Sequence, residues 1–294
     1  ARGSLLSVSE REFVEQGVQQ NVRSDGRDRL ACRAVETQVG VVPQANGSAV
    51  LRCGGTRVLA GVKAEIVVPE AEAAGRGQVS VSVSCSALAS TMFEGRSGED
   101  VSAELTLAMN QLLGSGMPEE VYRRLSIGEG HQCWHLYADV CVLDYDGALL
   151  DACSMAIYAA LANTAIPQVK IVQGREQFEV EALDAADDCA LFDAAHVPVY
   201  VTLAQIGQRY VADPSALEEA CASARISVGV NSEGKLCATH KSEGRGLHPT
   251  QLSQMLQAAH KLGQQRLGQL GQRVQKDNAP APAPDKLLER QIFA

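Results

Sequence analysis

The period of the hydrophobic pattern switches once, sharply, between Gln132 and Pro167. Trp134, Leu136, Ala138, Val140 and Val142 alternate with Cys133, His135, Tyr137, Asp139 and Cys141, the period of two that marks a strand. Asp146-Gly147 then offers a turn residue that accepts positive φ. Beyond it Leu149, Ala152, Met155, Ala156, Ala159 and Ala160 recur at helical spacing, so one stripe faces a core. A strand feeding a helix start is where many folds place phosphate chemistry, because the first amides of a helix lack internal partners.

The same reading predicts the other elements in order. Ser7 with Glu10, or Ser9 with Glu12, forms a capping box for a helix through Phe13, Val14 and Val18 that ends near Asn21. Arg23-Ser24-Asp25-Gly26-Arg27 reads as a charged, solvated hairpin or loop. Strands follow between Cys32 and Pro69, with turns at Gln44–Gly47 and Gly54-Gly55, and another at Val79–Ser86 with one serine face. Asp100 is placed to cap a helix carrying Val101, Leu105, Ala108, Met109 and Leu112, and Pro118 to open a shorter one presenting Arg123 and Arg124. Val169–Val172 and Phe178–Leu183 read as a hairpin, and Val197–Ile206 as a strand turning at Gly207. Asp213-Pro214 reads as a helix start with Asp213 as the cap, followed by a hairpin from Ile226 to His240. Pro249 opens a long helix whose Gly263, Gly268 and Gly271 each weaken it by about 1 kcal/mol relative to Ala, which implies close packing. The stretch from Asn278 to Pro284 reads as a stiff linker before an apolar tail at Lys286–Phe293. Runs of strands followed by helices, twice over, make the class α+β.

Composition narrows the function. The 294 residues are 46% hydrophobic, enough for a sizeable core, and the net charge of −9 argues against a free-standing nucleic-acid binder while leaving room for a local basic patch. Nine cysteines, an odd count without C-x-x-C, fit buried free thiols in a reducing compartment. No run reaches the ~18 apolar residues of a membrane span, so the expectation is a soluble intracellular protein.

Candidate chemistry is sparse. His131, Cys133 and His135 could share a strand face as metal ligands but lack a fourth at metal spacing. Asp184, Asp187, Asp188 and Asp193 could hold Mg²⁺ or act as an acid/base pair, although such runs are usually solvated loops. Gly128-x-Gly130 and Gly244-Arg245-Gly246 complete no phosphate-binding motif and read as turns. Basic clusters at Arg23, Arg27, Arg29 and Arg33, at Arg123 and Arg124, and at Lys241 and Arg245 are either solvated faces or contacts to phosphate. Taken alone, the residues give an α+β protein with two related halves.

Several segments, taken in order, resemble the RNase PH family and, within it, the ring subunits of the RNA exosome. They are Arg23–Arg27, Gly47-Ser48-Ala49, Gly55 through Glu65, Phe93-Glu94-Gly95-Arg96, Asp139-Val140 with Leu143–Gly147, Val197-Pro198, Gln205-Ile206-Gly207 and Asp213-Pro214 with Glu218-Glu219. The resemblance runs from Ser9 to Gly271 and implies an RNase PH-like fold of two βαβ-type halves, each similar to the second domain of ribosomal protein S5. The halves would be residues 9–190 and 191–276, with 277–294 as linker and tail. It further implies a ring with a central channel for single-stranded RNA, another RNase PH-like subunit as direct partner, S1 and KH cap subunits, and catalytic exosome nucleases. No cofactor, metal or membrane is expected, and the location would be nucleus, nucleolus and cytoplasm.

Catalytic members of the family cleave RNA with inorganic phosphate, held by a Gly-Ser/Thr-Arg triplet at the strand–helix turn, and use a pair of aspartates before the second sheet. Here the turn continues Ala148-Leu149-Leu150, with no guanidinium to hold phosphate bidentately. His196 stands in place of an aspartate, and Asn110-Gln111-Leu112-Leu113 is uncharged where relatives carry arginines. The resemblance therefore implies a non-catalytic ring subunit supporting 3′-to-5′ RNA processing; the alternative is an active phosphate-dependent exoribonuclease using Asp184–Asp193. Arg96, Arg123, Arg124, Lys241 and Arg245 are the candidate RNA contacts.

Overall fold

The computed structural model describes residues 6–69, 75–128, 131–173, 178–182, 189–242 and 244–278. Helix α1 (Val8–Gln19) precedes a first sheet built from β1 (Val35–Val39), β2 (Gly47–Cys53), β3 (Thr56–Val67), β4 (Gln78–Cys85), β5 (Ser126–Gly128) and β6 (Gln132–Asp144). Helices α2 (Arg96–Gly116) and α3 (Glu119–Arg124) lie between β4 and β5, and α4 (Leu149–Ala162) follows β6. Two short ribbons come next, β7 (Ala165–Pro167) with β10 (Cys189–Leu191) and β8 (Val169–Gln173) with β9 (Phe178–Ala182). The second half holds β11 (Val199–Ile206), β12 (Arg209–Ala212), α5 (Ala216–Cys221), β13 (Ala224–Val230), β14 (Leu236–Lys241) and α6 (Pro249–Asp277).

The first sheet has the order β1-β2-β3-β6-β4, antiparallel except where β4 lies parallel to β6, so β4–α2–β6 is a βαβ crossover. The second sheet, β12-β11-β13-β14, is antiparallel throughout. Alternation along β6 behaves as its sequence predicts: Trp134, Leu136, Ala138, Val140 and Val142 are buried while Asp139 is exposed. Every residue from Leu150 to Leu161 in α4 is buried, because this helix packs on β2 and β3 on one side and on β11 on the other. Its alanines, Cys153 and Ser154 keep it narrow enough to serve two sheets. The Ser154 hydroxyl accepts the Tyr200 amide across that interface at 2.9 Å.

The free edge of β4 is closed by a side-chain ladder that periodicity does not reveal. Ser102, Thr106 and Asn110, four residues apart on one face of α2, accept the amides of Cys85, Val83 and Val81 at 2.9–3.0 Å. An edge strand is thereby denied to intruding chains. Helix α6 divides its work: Met255 and Ala259 pack with Val201, Leu203 and Val228, whereas Leu267, Leu270 and Val274 reach the core around α4. A Cβ at Gly263 would come within 2.7 Å of Val230, which accounts for that glycine; at Gly268 nothing lies nearby.

Three local expectations change. Helix α2 begins at Arg96 rather than after Asp100, since Gly95 at φ 64° turns the chain into the helix without a side-chain cap. Ser215, not Asp213, caps α5, in a capping box with Glu218. The segment Arg23–Arg27 is solvated only at its tip, Ser24–Gly26: Arg23 is 3% exposed and donates to Glu218, to Ala212 O at 2.8 Å and to Asp213 O at 2.9 Å. Phe13 on α1 is exposed while Val14 and Val18 are buried. Asp184, Asp187, Asp188, the hairpin turn at Gly174, and the linker and tail beyond Asn278 lie outside the described residues.

Asp213, displaced from capping, is a buried hub. Its carboxylate accepts Arg33 through Nη2 at 2.7 Å, the Arg33 amide at 2.7 Å and Arg27 Nη1 at 3.4 Å, and forms an ion pair with Arg266 Nη2 at 3.0 Å. Arg266 continues to Asp151 at 3.0 Å. Burial alone would raise the Asp213 carboxyl, but the Arg266 and Arg33 charges and the Arg33 hydrogen bonds outweigh it and hold it far below the usual range. A depressed pKa contributes stability that is present above the unfolded value of 3.8 and is lost as pH falls through the folded value. Asp213→Asn should therefore cost about 3–5 kcal/mol at pH 7, the cost of breaking a buried pair. Urea denaturation should show this gap narrowing steadily below pH 4; a gap independent of pH would deny Asp213 its charged role.

Candidate functional site

The turn that joins β6 to α4 is built from backbone strain and long-range clamps. Gly147 has φ 84° and Ala148 φ 49°, two successive left-handed residues that reverse the chain before the helix starts. A Cβ on Gly147 would lie 2.3 Å from the Pro214 carbonyl oxygen, so only glycine lets α4 begin beside the residues that lead into α5. Thr56 Oγ1 accepts the Asp146 amide and donates to Gly147 O, both at 2.9 Å. Arg33 Nη1 donates to Asp146 O at 2.7 Å. Asp213, through Arg33, thus reaches the turn itself.

The first amide of this turn already has an anion. Ala148 N–H donates to Glu219 Oε1 at 3.0 Å, and the other oxygen of that carboxylate accepts the Tyr145 hydroxyl at 2.7 Å. Arg225 Nη1 completes the set, 2.6 Å from Glu219 Oε2. Burial, followed by the Glu219 charge and hydrogen bond, raises the Tyr145 phenol well above its ordinary value and keeps it a donor. A carboxylate from α5 therefore occupies the place at the α4 start where an external anion would sit.

Beside this cluster lies a cleft of about 140 Å³, lined by Phe93, Tyr145, Leu149, Leu150, Glu219 and Arg225 among others. Phe93 meets Tyr145 edge-on at 5.3 Å. Thr202 and Ser227 also border it, but their hydroxyls bond each other at 2.7 Å, and Thr202 donates to Asp151 Oδ1 at 2.5 Å. Burial raises the Asp151 carboxyl to about 6 despite Arg266, and its oxygens are spent on Thr202 and Arg266. Besides apolar walls the cleft presents the carboxylates of Glu104 and Glu219 and one arginine, Arg225, whose charge is already paired.

Models of the 3′ exoribonuclease family match residues 31–167 as its domain 1 and residues 196–261 as its domain 2. The chain belongs to the RNase PH family. It is 35% identical over 308 residues to a Dictyostelium discoideum protein of RRP42 type, whose name carries the word exonuclease, covering 88% of this chain and 94% of that one. It is 31% identical over 239 residues to the exosome complex component Rrp42 of Methanopyrus kandleri, covering 81% and 87%. Among solved structures it matches a chain of the Archaeoglobus fulgidus exosome with RNA bound to the active site, with TM-score 0.73, 28% identity and coverage of 89% and 97%. An archaeal exosome core matches with TM-score 0.70 at 26% identity, covering 90% and 96%. The chain is thus a homologue of exosome core subunits with the RNase PH fold.

Against that family pattern, the candidate residues fall into separate places. Ala148, Leu149 and Leu150 sit together at the turn, Leu150 almost fully buried. His196 is not part of this cleft: it ends a short 3-10 turn, Ala194–His196, before β11, and its Nδ1 is buried without a hydrogen-bond partner. Arg96 opens α2 and is exposed. Arg123 and Arg124 end α3, Arg124 pairing with Asp193 at 3.1 Å. Lys241 ends β14 and donates to Ser242 O and Gly244 O, and the Arg245 amide bonds Ser223 O.

Other candidates have structural partners. Arg23, Arg27 and Arg33 are committed to the hub, and Arg29 lies over the Tyr210 ring at 5.4 Å. Cys133 is buried, His135 bonds Ser80 at 2.8 Å, and no His/Cys/Asp/Glu group among the described residues could hold a metal. Sequence reasoning misses Glu219 and Thr56, whose partners at the turn lie about seventy to ninety residues away and leave no periodic trace, and with them Arg225, which joins the site only through Glu219. Gly147→Ala should destabilise the chain by about 1–3 kcal/mol, from left-handed strain and the clash with Pro214. A urea midpoint unchanged from the parent would show that the α4 start has room to move.

Proposed function

We propose that the chain is a non-catalytic subunit of the RNA exosome core ring, contributing interface and channel wall to 3′-to-5′ RNA processing and degradation. One observation carries the proposal: the Glu219 carboxylate takes the Ala148 amide, the Tyr145 hydroxyl and Arg225. In catalytic RNase PH members the resemblance puts inorganic phosphate at this turn. A phosphate brought there would meet a resident negative charge, with Ala148 in place of a hydroxyl and Leu149 in place of a guanidinium. His196, where the family carries an aspartate, supplies no carboxylate for a cation.

In this reading the chain pairs directly with another RNase PH-like ring subunit, carries S1 and KH cap subunits, and passes single-stranded RNA to catalytic exosome nucleases. The processes served are ribosomal RNA maturation and mRNA turnover, in nucleus, nucleolus and cytoplasm. Residues 9–190 and 191–276 form its two halves, with residues 277–294 as a linker and tail. Exposed Leu88 and Met92, before α2, and exposed Leu107, midway along it, are the kind of surface that such neighbours bury. Arg96, Arg123, Arg124, Lys241 and Arg245 supply the local positive charge toward RNA that an acidic chain otherwise lacks.

Co-expression with an RNase PH-like ring subunit should yield a stable complex; a monodisperse monomer that captures no such partner would end the proposal. In the assembled ring, charge reversal at these five residues should lower RNA affinity and reduce the slope of log affinity against log salt by about one for each phosphate no longer neutralised. An unchanged slope removes that residue from the RNA path.

A further inference from the structure

A second groove, away from the cleft at the turn, runs between α6 and residues 30–35, the chain that leads into β1. Its volume is about 580 Å³. One wall is a single face of α6, where Gln265, Gln269, Gln272, Arg273 and Lys276 recur at helical spacing. The opposite wall is the segment from Leu30 to Val35. Four cationic side chains line the groove, Arg33, Arg266, Arg273 and Lys276, and among the described residues no carboxylate does. In a chain with 35 acidic and 26 basic residues, that bias is not a sample of the average surface.

Two of these cations are exposed and two are built in. Arg273 and Lys276 face solvent and pair with no carboxylate among the described residues. Arg266 is 5% exposed; Nη1 reaches Asp151 and Nη2 lies 3.0 Å from Asp213, yet its Nε is buried without a hydrogen-bond partner. The Cys32 thiol beside it is a weak acceptor, raised by burial and lowered only in part by Arg266.

We infer that this groove is a docking site for an extended, carboxylate-rich peptide segment of a partner protein. Arg273 and Lys276 supply complementary charge, and the three glutamine amides can both donate to and accept from a peptide backbone. Single-stranded nucleic acid is the less suitable polyanion, because among the described residues no aromatic side chain lines the groove to stack a base.

The test is fluorescence anisotropy on the full chain with a fluorescein-labelled decapeptide of alternating Glu and Ser, beside an alternating Lys and Ser peptide and a decauridylate RNA. The acidic peptide should bind saturably and more weakly as salt rises, and the basic peptide should not bind. The double variant Arg273→Glu with Lys276→Glu should weaken binding roughly tenfold, and Gln269→Glu, an exposed wall position, should weaken it too. Lys261→Glu, on α6 outside the groove, should leave it within about twofold. No saturable binding of the acidic peptide overturns the inference, as does an equal loss in the Lys261 variant. Tighter binding of decauridylate, lost in the double variant, would make the groove a nucleic-acid site instead.

Discussion

The structure depends on a charge that cannot be left alone. Asp213 lies wholly buried, and its carboxylate is held by Arg33, Arg27 and Arg266, which arrive from the segment after α1 and from α6. Arg266 links it to Asp151 inside α4, and Arg33 links it to the carbonyls of Asp146 and Gly147. Four segments distant in sequence are thereby fixed around one point. Removing a single partner leaves an uncompensated buried charge, which is far costlier than replacing the whole set by apolar groups. Such a cluster is better understood as setting where the two halves meet than as adding net stability.

From that constraint the state of the β6–α4 turn follows. Arg33 and Thr56 hold the turn from one side, the close approach of Gly147 to Pro214 brings the start of α5 against it, and Glu219 then falls within reach of the Ala148 amide. The anion-binding position at the α4 start persists as geometry, and its occupant is internal. What differs from a phosphate site is a few side chains: a carboxylate added by α5, and Ala148 and Leu149 in place of polar groups. The fold of a nuclease family can serve interfaces with its scaffold unchanged.

Much of the fold is legible in periodicity. The alternation on β6, the α4 stripe, the Ser7–Glu10 capping box and the α6 start at Pro249 all involve neighbours within a few residues, where pattern and geometry are tied. Arg23–Arg27 misleads because charged runs are usually solvated, and nothing local reveals that Glu218 waits 195 residues away. Asp213-Pro214 mimics a cap, but the buried ion pairs claim its carboxylate and Ser215 caps in its stead. The site is half legible: the turn and its missing hydroxyl and guanidinium can be read, whereas the Glu219–Tyr145–Arg225 cluster exists only in three dimensions.

The most direct test of an internally filled, non-catalytic turn is the reaction it would otherwise support. The purified chain is incubated with single-stranded RNA, with and without inorganic phosphate, and nucleoside diphosphates are quantified by chromatography. The account predicts no release above the phosphate-free control. Phosphate-dependent release of nucleoside diphosphates from the RNA 3′ end would contradict it.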